Sequence, residues 1–266
     1  MELPSISVIT PCLNSAATIE ETLESVRSQG YPRLEHLVVD GASTDSTLDI
    51  LRDAPGIRWI SEPDRGRVDA ANKGAQMAAG DVIAWLNADD RYLPGALDAV
   101  GATFAGHPHA AWASGYCRII DAQGREVRRA VSAYKRLLVR RWSFPLYLTQ
   151  NFVSDPATFL RRRAFEGVGP LDERYHESHD YDLWLRVAHR HGAPLLIERD
   201  LACFRMAETS LSMTRFEHQF QEHREIARRH GEGHPIALGA NRVMSTLIPA
   251  VYRVLRFARR ASIASA

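Results

Sequence analysis

The stretch Asp81-Val82-Ile83-Ala84-Trp85-Leu86-Asn87-Ala88-Asp89-Asp90 is an apolar run that ends abruptly in acids. Such a run reads as a short strand buried on both faces, as in a parallel sheet. In open α/β sheets ligands bind in the crevice outside the carboxyl ends of the strands, which is where Asp89 and Asp90 stand. Adjacent carboxylates repel, so they hold a proton or share a cation, and hard oxygen ligands suit Mg2+ or Mn2+. The plain alternative is a solvated turn in which Asp90 caps a helix opening near Pro94. Two earlier segments weigh against it. Leu34 to Asp40 reads as a strand around Leu37-Val38-Val39 that ends in Asp40, and Asp64 follows the strand Ile57 to Ser61 in Glu62-Pro63-Asp64-Arg65-Gly66. Each strand therefore delivers an acid to one sheet edge. Such a crevice suits a nucleoside diphosphate, with carboxylates on ribose hydroxyls or a base N–H and a metal on the phosphates.

Strand and helix signals alternate through the first half. Ile6 to Ile9 is a strand ended by Pro11 and Asn14. Thr18-Ile19-Glu20-Glu21 reads as a capping box, opening a helix that buries Ile19, Leu23 and Val26 and closes at Gly30. The polar loop Gly41 to Thr47 leads into a helix to about Arg52, and Asp69 to Ala79 is a further helix before the strand Val82 to Leu86. This alternation predicts parallel pairing with right-handed crossovers, hence an α/β, Rossmann-like, doubly wound and mostly parallel sheet. The second half is less regular. Trp112 to Asp121 and Glu126 to Val131 read as a hairpin-like pair. Segment 134–155, broken by prolines and aromatics, reads as a mobile or substrate-covering region. Asp182 to His191 is an amphipathic helix and Pro194 to Ile197 a short strand. After Ser212 the composition shifts to His, Gln, Glu and Arg, which places a boundary near 215. The expected organisation is a domain over 1–215, with halves 1–120 and 121–215, and a helical extension over 216–266.

A chain of 266 residues that is 45% hydrophobic can bury a sizeable core. Basic and acidic residues nearly balance, 33 against 32, so no nucleic-acid partner is indicated. Cys12, Cys117 and Cys203 are too dispersed for a disulfide framework or a zinc cluster and suit a reducing compartment. The start Met1-Glu2-Leu3-Pro4 lacks the basic opening of a signal peptide, and no apolar run reaches membrane-spanning length. There is no G-x-x-x-x-G-K-[ST], no G-x-G-x-x-G after the first strand and no G-x-S-x-G, which argues against an ATPase, a dinucleotide dehydrogenase and an α/β-hydrolase. His176-Glu177-Ser178-His179 spaces its histidines i,i+3 rather than i,i+4, so it reads as a loop and not a metalloprotease helix.

A set of motifs in order carries a resemblance: Ser7-Val8-Ile9-Thr10-Pro11 with Asn14, Val38-Val39-Asp40-Gly41-Ala42-Ser43-Thr44-Asp45, Ser61-Glu62-Pro63-Asp64-Arg65-Gly66, Asp69-Ala70-Ala71-Asn72-Lys73-Gly74 and Asn87-Ala88-Asp89-Asp90. Pro156-Ala157-Thr158-Phe159 and His179-Asp180-Tyr181-Asp182-Leu183-Trp184-Leu185-Arg186 continue it. Over about residues 5–212 the chain resembles the family-two inverting glycosyltransferases with the GT-A fold. The resemblance implies a sugar-nucleotide donor (UDP-, dTDP- or GDP-linked), a divalent metal (Mn2+ or Mg2+), and displacement with inversion at the anomeric carbon. The acceptor it implies is a hydroxyl of a glycan or lipid-linked molecule, in cell-surface polysaccharide synthesis.

By that resemblance Thr10 and Pro11 supply backbone that walls the base. Asp40 binds base or ribose, Asp64 contacts the base, and Asn14, Asn72 and Lys73 lie by the donor. Asn87, Ala88 and Asp89 border the ribose and phosphates, Asp89 and Asp90 hold the metal, and Asp180 is the catalytic base. A sugar hydroxyl attacks well only when a carboxylate takes its proton, which is the task assigned to Asp180. Asp180 also suits a helix N-cap. Trp184 and Arg186 read as core and salt-bridge residues. The chain departs from the pattern at Asn87, which replaces the first acid of the D-x-D-type motif, and at His179, which replaces a Glu beside the base. Near Ala207, where many relatives carry His, only Glu208 offers a ligand.

At the C-terminal end Met244, Leu247, Ile248, Val251, Leu255 and Ala258 recur at helical spacing, with Arg253, Arg256, Arg259 and Arg260 following, though Pro249 interrupts the stripe. Such a segment can pack on protein or lie peripherally on a membrane. The expected location is cytoplasmic, with contact at the inner face of the membrane through this segment. Two other functions compete. A sugar-phosphate nucleotidyltransferase would need a Gly-rich, Arg-containing loop after the first strand, which Thr10-Pro11-Cys12-Leu13-Asn14 is not. A non-catalytic nucleotide- or glycan-binding relative is compatible with Asn87, His179 and Ala207.

Overall fold

The computed structural model describes residues 2–206 and 216–264, with side chains for 2–206 and 217–250. The first half alternates as expected: β1 (Ile6–Cys12), α1 (Ile19–Arg27), β2 (Leu34–Asp40), α2 (Thr47–Asp53), β3 (Ile57–Ser61), α3 (Arg67–Met77), β4 (Val82–Trp85), β5 (Arg91–Tyr92) and α4 (Ala96–Gly106). Then come β6 (Trp112–Ile120), β7 (Glu126–Val127), α5 (Arg129–Arg140), α6 (Phe144–Thr149), a 3-10 turn at Asp155–Ala157, β8 (Thr158–Arg161), α7 (Arg162–Val168), α8 (His179–His191) and β9 (Leu195–Arg205). Two helices follow, α9 (Phe216–His230) and α10 (Pro235–Ala264).

The strands form one nine-stranded sheet in the order β3-β2-β1-β4-β8-β6-β9-β5, with β7 paired to β6. The half made of β3, β2, β1 and β4 is wholly parallel, and β6 runs parallel to β9. β5, β7 and β8 run the other way. Every residue of β1 and β4 is buried, as strands covered by helices on both faces must be. The register pairs Cys12 with Asp40 and Asp40 with Ser61, so the ends of β1, β2 and β3 reach one edge together. Helix α3 lies so close on β1 that a Cβ at Gly74 would stand 2.3 Å from Ile9 Cγ2. The larger core cluster packs Trp184 of α8 flat on Trp112 of β6, at 5.7 Å between centroids and 9° between planes. Arg186 ties α8 down by pairing with the buried Asp182 at 2.8 Å and donating to the carbonyls of Val168, Gly169 and Pro170. The core and salt-bridge reading of Trp184 and Arg186 holds.

Local expectations fail where neighbours remote in sequence intervene. Thr18 makes no capping hydrogen bond; its hydroxyl donates to Ala88 O at 2.8 Å, and Glu21 turns to Arg91 and Arg205 instead of back to the helix start. Segment 134–155 is not irregular, because it holds most of α5 and all of α6. Pro145 sits in the first turn of α6, where a proline starts a helix, and Ser143 caps it by accepting from Leu146 N at 3.3 Å. The long helix α10 continues through Pro249. Among the described residues no helix is long and apolar enough to cross a membrane.

Candidate active site

Two regions meet where the strands end. One is the rim formed by the loops after β1, β2, β3 and β4. The other is a cavity of about 410 Å3 between the 3-10 turn, α5, α8, α9 and α10. Asn87 and Arg67 border the cavity on the rim side, Asp155 and Asp180 on the far side, and Met244 and Ile248 from α10 close it.

The rim is built on acids already engaged by the fold. Asp40 is fully buried: its carboxylate accepts from Ser43 N at 2.9 Å, Ser61 Oγ at 2.7 Å, Cys12 Sγ at 3.5 Å and the Ser43 hydroxyl. Burial opposes its ionisation, but these donors win and hold it below the usual carboxylate range. Asp40 thus stands under the rim and organises the loop after β2. Asn14 clasps that loop to the one after β1, donating from its N to Ser43 Oγ at 2.7 Å and accepting from Thr44 N at 2.8 Å. Thr10 turns its hydroxyl to the buried His36 at 3.0 Å, so Thr10 and Pro11 offer backbone only. Asp64 lies over Gly41: a Cβ there would meet Asp64 Oδ2 at 2.4 Å, so the missing side chain makes room for this carboxylate. Asn72 exchanges two hydrogen bonds with Leu171, at 3.0 and 2.9 Å, and Lys73 pairs with Glu62 at 2.8 Å. Both brace the walls.

The acid turn after β4 is held from beneath. Asp90 is almost fully buried; its Oδ1 accepts from Arg205 N at 2.9 Å and its Oδ2 from Asn87 Nδ2 at 3.2 Å, so it does not cap α4. Burial, then the adjacent Asp89, pushes its carboxyl well above the usual range. Burial also raises Asp89, which is half-buried and accepts from no other side chain among the described residues. Ala88 is locked in place by the hydroxyl of Thr18 on its carbonyl. Among the described residues no group of three or more His, Cys, Asp or Glu side chains could by itself hold a metal. The open Asp89, with Asp90 behind it, nevertheless fits a hard cation that arrives with a diphosphate. Such ions take one or two carboxylates and complete their shell with phosphates and water.

On the far side, Asp180 occupies the first turn of α8, one residue inside Ser178 and His179. It is therefore not the N-cap, a position Ser178 fills. Its Oδ2 accepts from Asn151 Nδ2 at 2.9 Å, yet burial dominates and lifts its carboxyl above the usual range. Asp155 shares the cavity and rises well above that range, through burial and then the charge of Asp180. Burial pushes the neighbouring His179 down to about 3, which keeps it neutral. Lys135 of α5 adds an amine whose pKa burial lowers. Arg67 donates to His176 O at 3.0 Å and keeps its Nε buried without a partner.

None of Arg67, Lys135, Asn151, Asp155 and Arg205 is named as a site residue in the sequence, although Lys135, Asn151 and Asp155 lie in segment 134–155, which reads there as mobile or substrate-covering, and Arg205 lies two residues before Ala207. Only Arg67 carries a signal, because a cation in the first turn of a helix opposes the macrodipole and calls for a compensating anion. Ala207 and Glu208, and the side chains of Arg253, Arg256, Arg259 and Arg260, lie outside the described residues.

Comparison with known proteins identifies the fold and the family. The family model of Glycosyl transferase family 2 matches residues 7–169. A PGL/p-HBAD biosynthesis glycosyltransferase of Mycobacterium bovis is 33% identical over 199 residues, which are 70% of each chain. An uncharacterized glycosyltransferase of Mycobacterium tuberculosis is 44% identical over a shorter 92 residues, 34% of this chain and 35% of the relative. Among solved structures, the mannosyltransferase PcManGT from Pyrobaculum calidifontis, in complex with GDP-Man and Mn2+, superposes with a TM-score of 0.67 at 20% identity, covering 100% of this chain and 82% of that one. S. aureus TarS 1-349 in complex with UDP-GlcNAc gives 0.63 at 18% identity over 84% and 66% of the two chains. The architecture is the α/β GT-A fold, with its mostly parallel sheet. On the strength of the family match and the long alignment to the Mycobacterium bovis relative, the chain belongs to glycosyl transferase family 2.

Proposed function

We propose that the protein is a metal-dependent inverting glycosyltransferase that moves a sugar from a nucleotide-sugar donor to a hydroxyl of a glycan or lipid-linked acceptor, in cell-surface polysaccharide synthesis. The observation that carries this reading is Asp180, a carboxylate at the cavity wall, hydrogen-bonded by Asn151 and raised by burial above its ordinary range. A general base works best when its pKa approaches the working pH, and burial moves Asp180 in that direction.

In this reading the donor lies along the rim in the 1–120 half, with its base against the backbone of Thr10 and Pro11 and against Asp64. Asp40, Asn14, Asn72 and Lys73 hold that surface from behind, and Asn87 and Ala88 border the ribose. The acceptor enters the cavity from the 121–215 half. Asp180 takes the proton of its hydroxyl as the oxygen bonds to the anomeric carbon, and the bond from that carbon to the diphosphate breaks on the opposite face, which inverts the centre. A divalent ion, Mn2+ or Mg2+, held by Asp89 with Asp90, would offset the charge gained by the leaving diphosphate when bound. Arg67, at the N-terminus of α3, adds positive charge on the same side.

The relatives named above support the donor class: one neighbour is bound to GDP-Man and Mn2+ and another to UDP-GlcNAc. The test is a thermal-shift screen of UDP, dTDP and GDP with and without Mn2+, followed by NMR assignment of the product's anomeric configuration with the selected donor. A metal-dependent preference for one base and an inverted product are expected. No stabilisation by any nucleoside diphosphate, or a retained configuration, overturns the reading.

A further inference from the structure

The base candidate is held by hydrogen bonds that run back to Tyr147 of α6, and the end of α6 is in turn bonded by the C-terminal helix. Asn151 Nδ2 donates to Asp180 Oδ2 at 2.9 Å, and the other end of the same amide, Asn151 Oδ1, accepts from Tyr147 Oη at 2.9 Å. The phenol thereby fixes which way the amide faces. Tyr147 is fully buried in α6, and the end of that helix is gripped from two sides. Tyr181 Oη, from α8, donates to the carbonyls of Tyr147 and Leu148 at 3.1 and 3.0 Å. Asn241 Nδ2, from α10, donates to the carbonyls of Leu148 and Thr149 at 3.0 and 3.2 Å. Asn241 is 2% exposed, so its amide is committed to closing a helix end whose last carbonyls have no partner within the helix.

We propose that Asn151 is the positioning residue of Asp180, and that α10 sets the place of Asn151 through Asn241 and the end of α6. The C-terminal helices are then part of the reaction centre rather than an appendage to it. The catalytic consequence rests on Asp180 being the base, as argued above; the hydrogen-bond chain does not.

The physical effect has a definite sign. An amide N–H favours the ionised carboxylate, so Asn151 holds the pKa of Asp180 lower than burial alone would leave it. Without the Tyr147 hydroxyl the amide is free to turn its oxygen toward Asp180, and that benefit is lost. The other groups facing Asp180 are Arg67 from α3 and Lys135 from α5, which lower it. Asp155 repels it, and the phenols of Tyr147 and Tyr181 stay neutral. Along the same wall lie Glu177, the neutral His179 and His223 of α9, the latter also pushed down to about 3 by burial.

The test follows the side-chain amide of Asn151 by 15N–1H correlation from about pH 4 to about pH 9, a window above the ordinary carboxylate range. In the wild type the signals should move with a carboxyl titration, and the movement should vanish in Asp180→Asn. Tyr147→Phe should raise the midpoint. Asn241→Leu should raise it too, although Asn241 does not touch Asp180. In activity assays, Asn151→Leu should move the acidic limb of kcat/KM up by about one pH unit, the order expected for one lost hydrogen bond to a charge.

Signals that stay flat, or that titrate unchanged in Asp180→Asn, overturn the Asn151 contact. A midpoint unmoved by Asn241→Leu, with helical circular dichroism retained, overturns the part assigned to α10. A titration that Asp180→Asn silences while donor cleavage persists sinks the function proposed above and leaves this positioning chain standing.

Discussion

Replacing Arg205 by methionine should loosen the acid turn and cost the fold a measurable amount. Arg205 is 4% exposed at the end of β9. Its Nε donates to Asp89 O at 2.9 Å, its Nη1 to Asp121 O and Ala122 O at 3.1 and 3.0 Å, and its Nη2 pairs with the Glu21 carboxylate. Methionine keeps most of the stem and leaves intact the backbone N–H that serves Asp90. A buried acceptor left unsatisfied costs about 1–3 kcal/mol. The carbonyls of Asp121 and Ala122 lie in a loop that water reaches, so the low end applies to them. Glu21 is 42% exposed, so its ion pair is discounted to under about 1 kcal/mol. The total comes to roughly 3–6 kcal/mol, or a fall in Tm of roughly 6–20 °C for a chain of this size. Urea unfolding followed by tryptophan fluorescence, with an unchanged m value, is the assay. A loss under about 1 kcal/mol would mean instead that the bonds from Asn87, Thr18, Thr22 and the backbone N–H of residue 205 hold the turn without the guanidinium.

Other substitutions probe separate links. Gly74→Ala drives a Cβ to 2.3 Å from Ile9 Cγ2 and should destabilise by about 1–3 kcal/mol, read as a shift in urea midpoint. Gly41→Ala meets the carboxylate of Asp64, the far end of a side chain, at 2.4 Å, so stability should change little while nucleoside diphosphate affinity, measured by calorimetry, falls as Asp64 is displaced. His36 is fully enclosed and held down to about 4 by burial, so the unfolded chain binds its proton first as pH falls. The wild type should therefore lose stability relative to His36→Asn between about pH 6.5 and about pH 4, and an unchanged difference across that window would contradict the assignment.

The parallel half is legible in the sequence because β1 and β4 are buried and mostly apolar, with only Ser7 and Thr10 polar in β1, and turns join them to helices that Gly and Ala residues let pack closely. Helices α5 and α6 are not. The outward-looking face of α5 carries Lys135 into a cavity, and Pro145 reads as a breaker until its place in the first turn is known. The same limit applies to the site. Asp40, Asp64 and Asp89 are recognisable as acids closing strands or following them. Whether each carboxylate is open or already engaged depends on partners far along the chain, such as Ser61 for Asp40 and Arg205 for Asp90. Asp180 stands out by its place before an amphipathic helix. Its neighbours Asn151 and Asp155 come from a loop and a single 3-10 turn with no period to mark them.

Inversion by direct displacement needs Asp180 as the base, and cleavage of the nucleotide sugar by Asp180→Asn tests that role. With the donor chosen by the thermal-shift screen and Mn2+ present, the wild type should release nucleoside diphosphate. The variant should bind the same diphosphate with unchanged affinity yet turn over at least 100-fold more slowly, within the range of about 10²–10⁴ typical of general base catalysis. Turnover by Asp180→Asn at the wild-type rate would show that Asp180 is not the base.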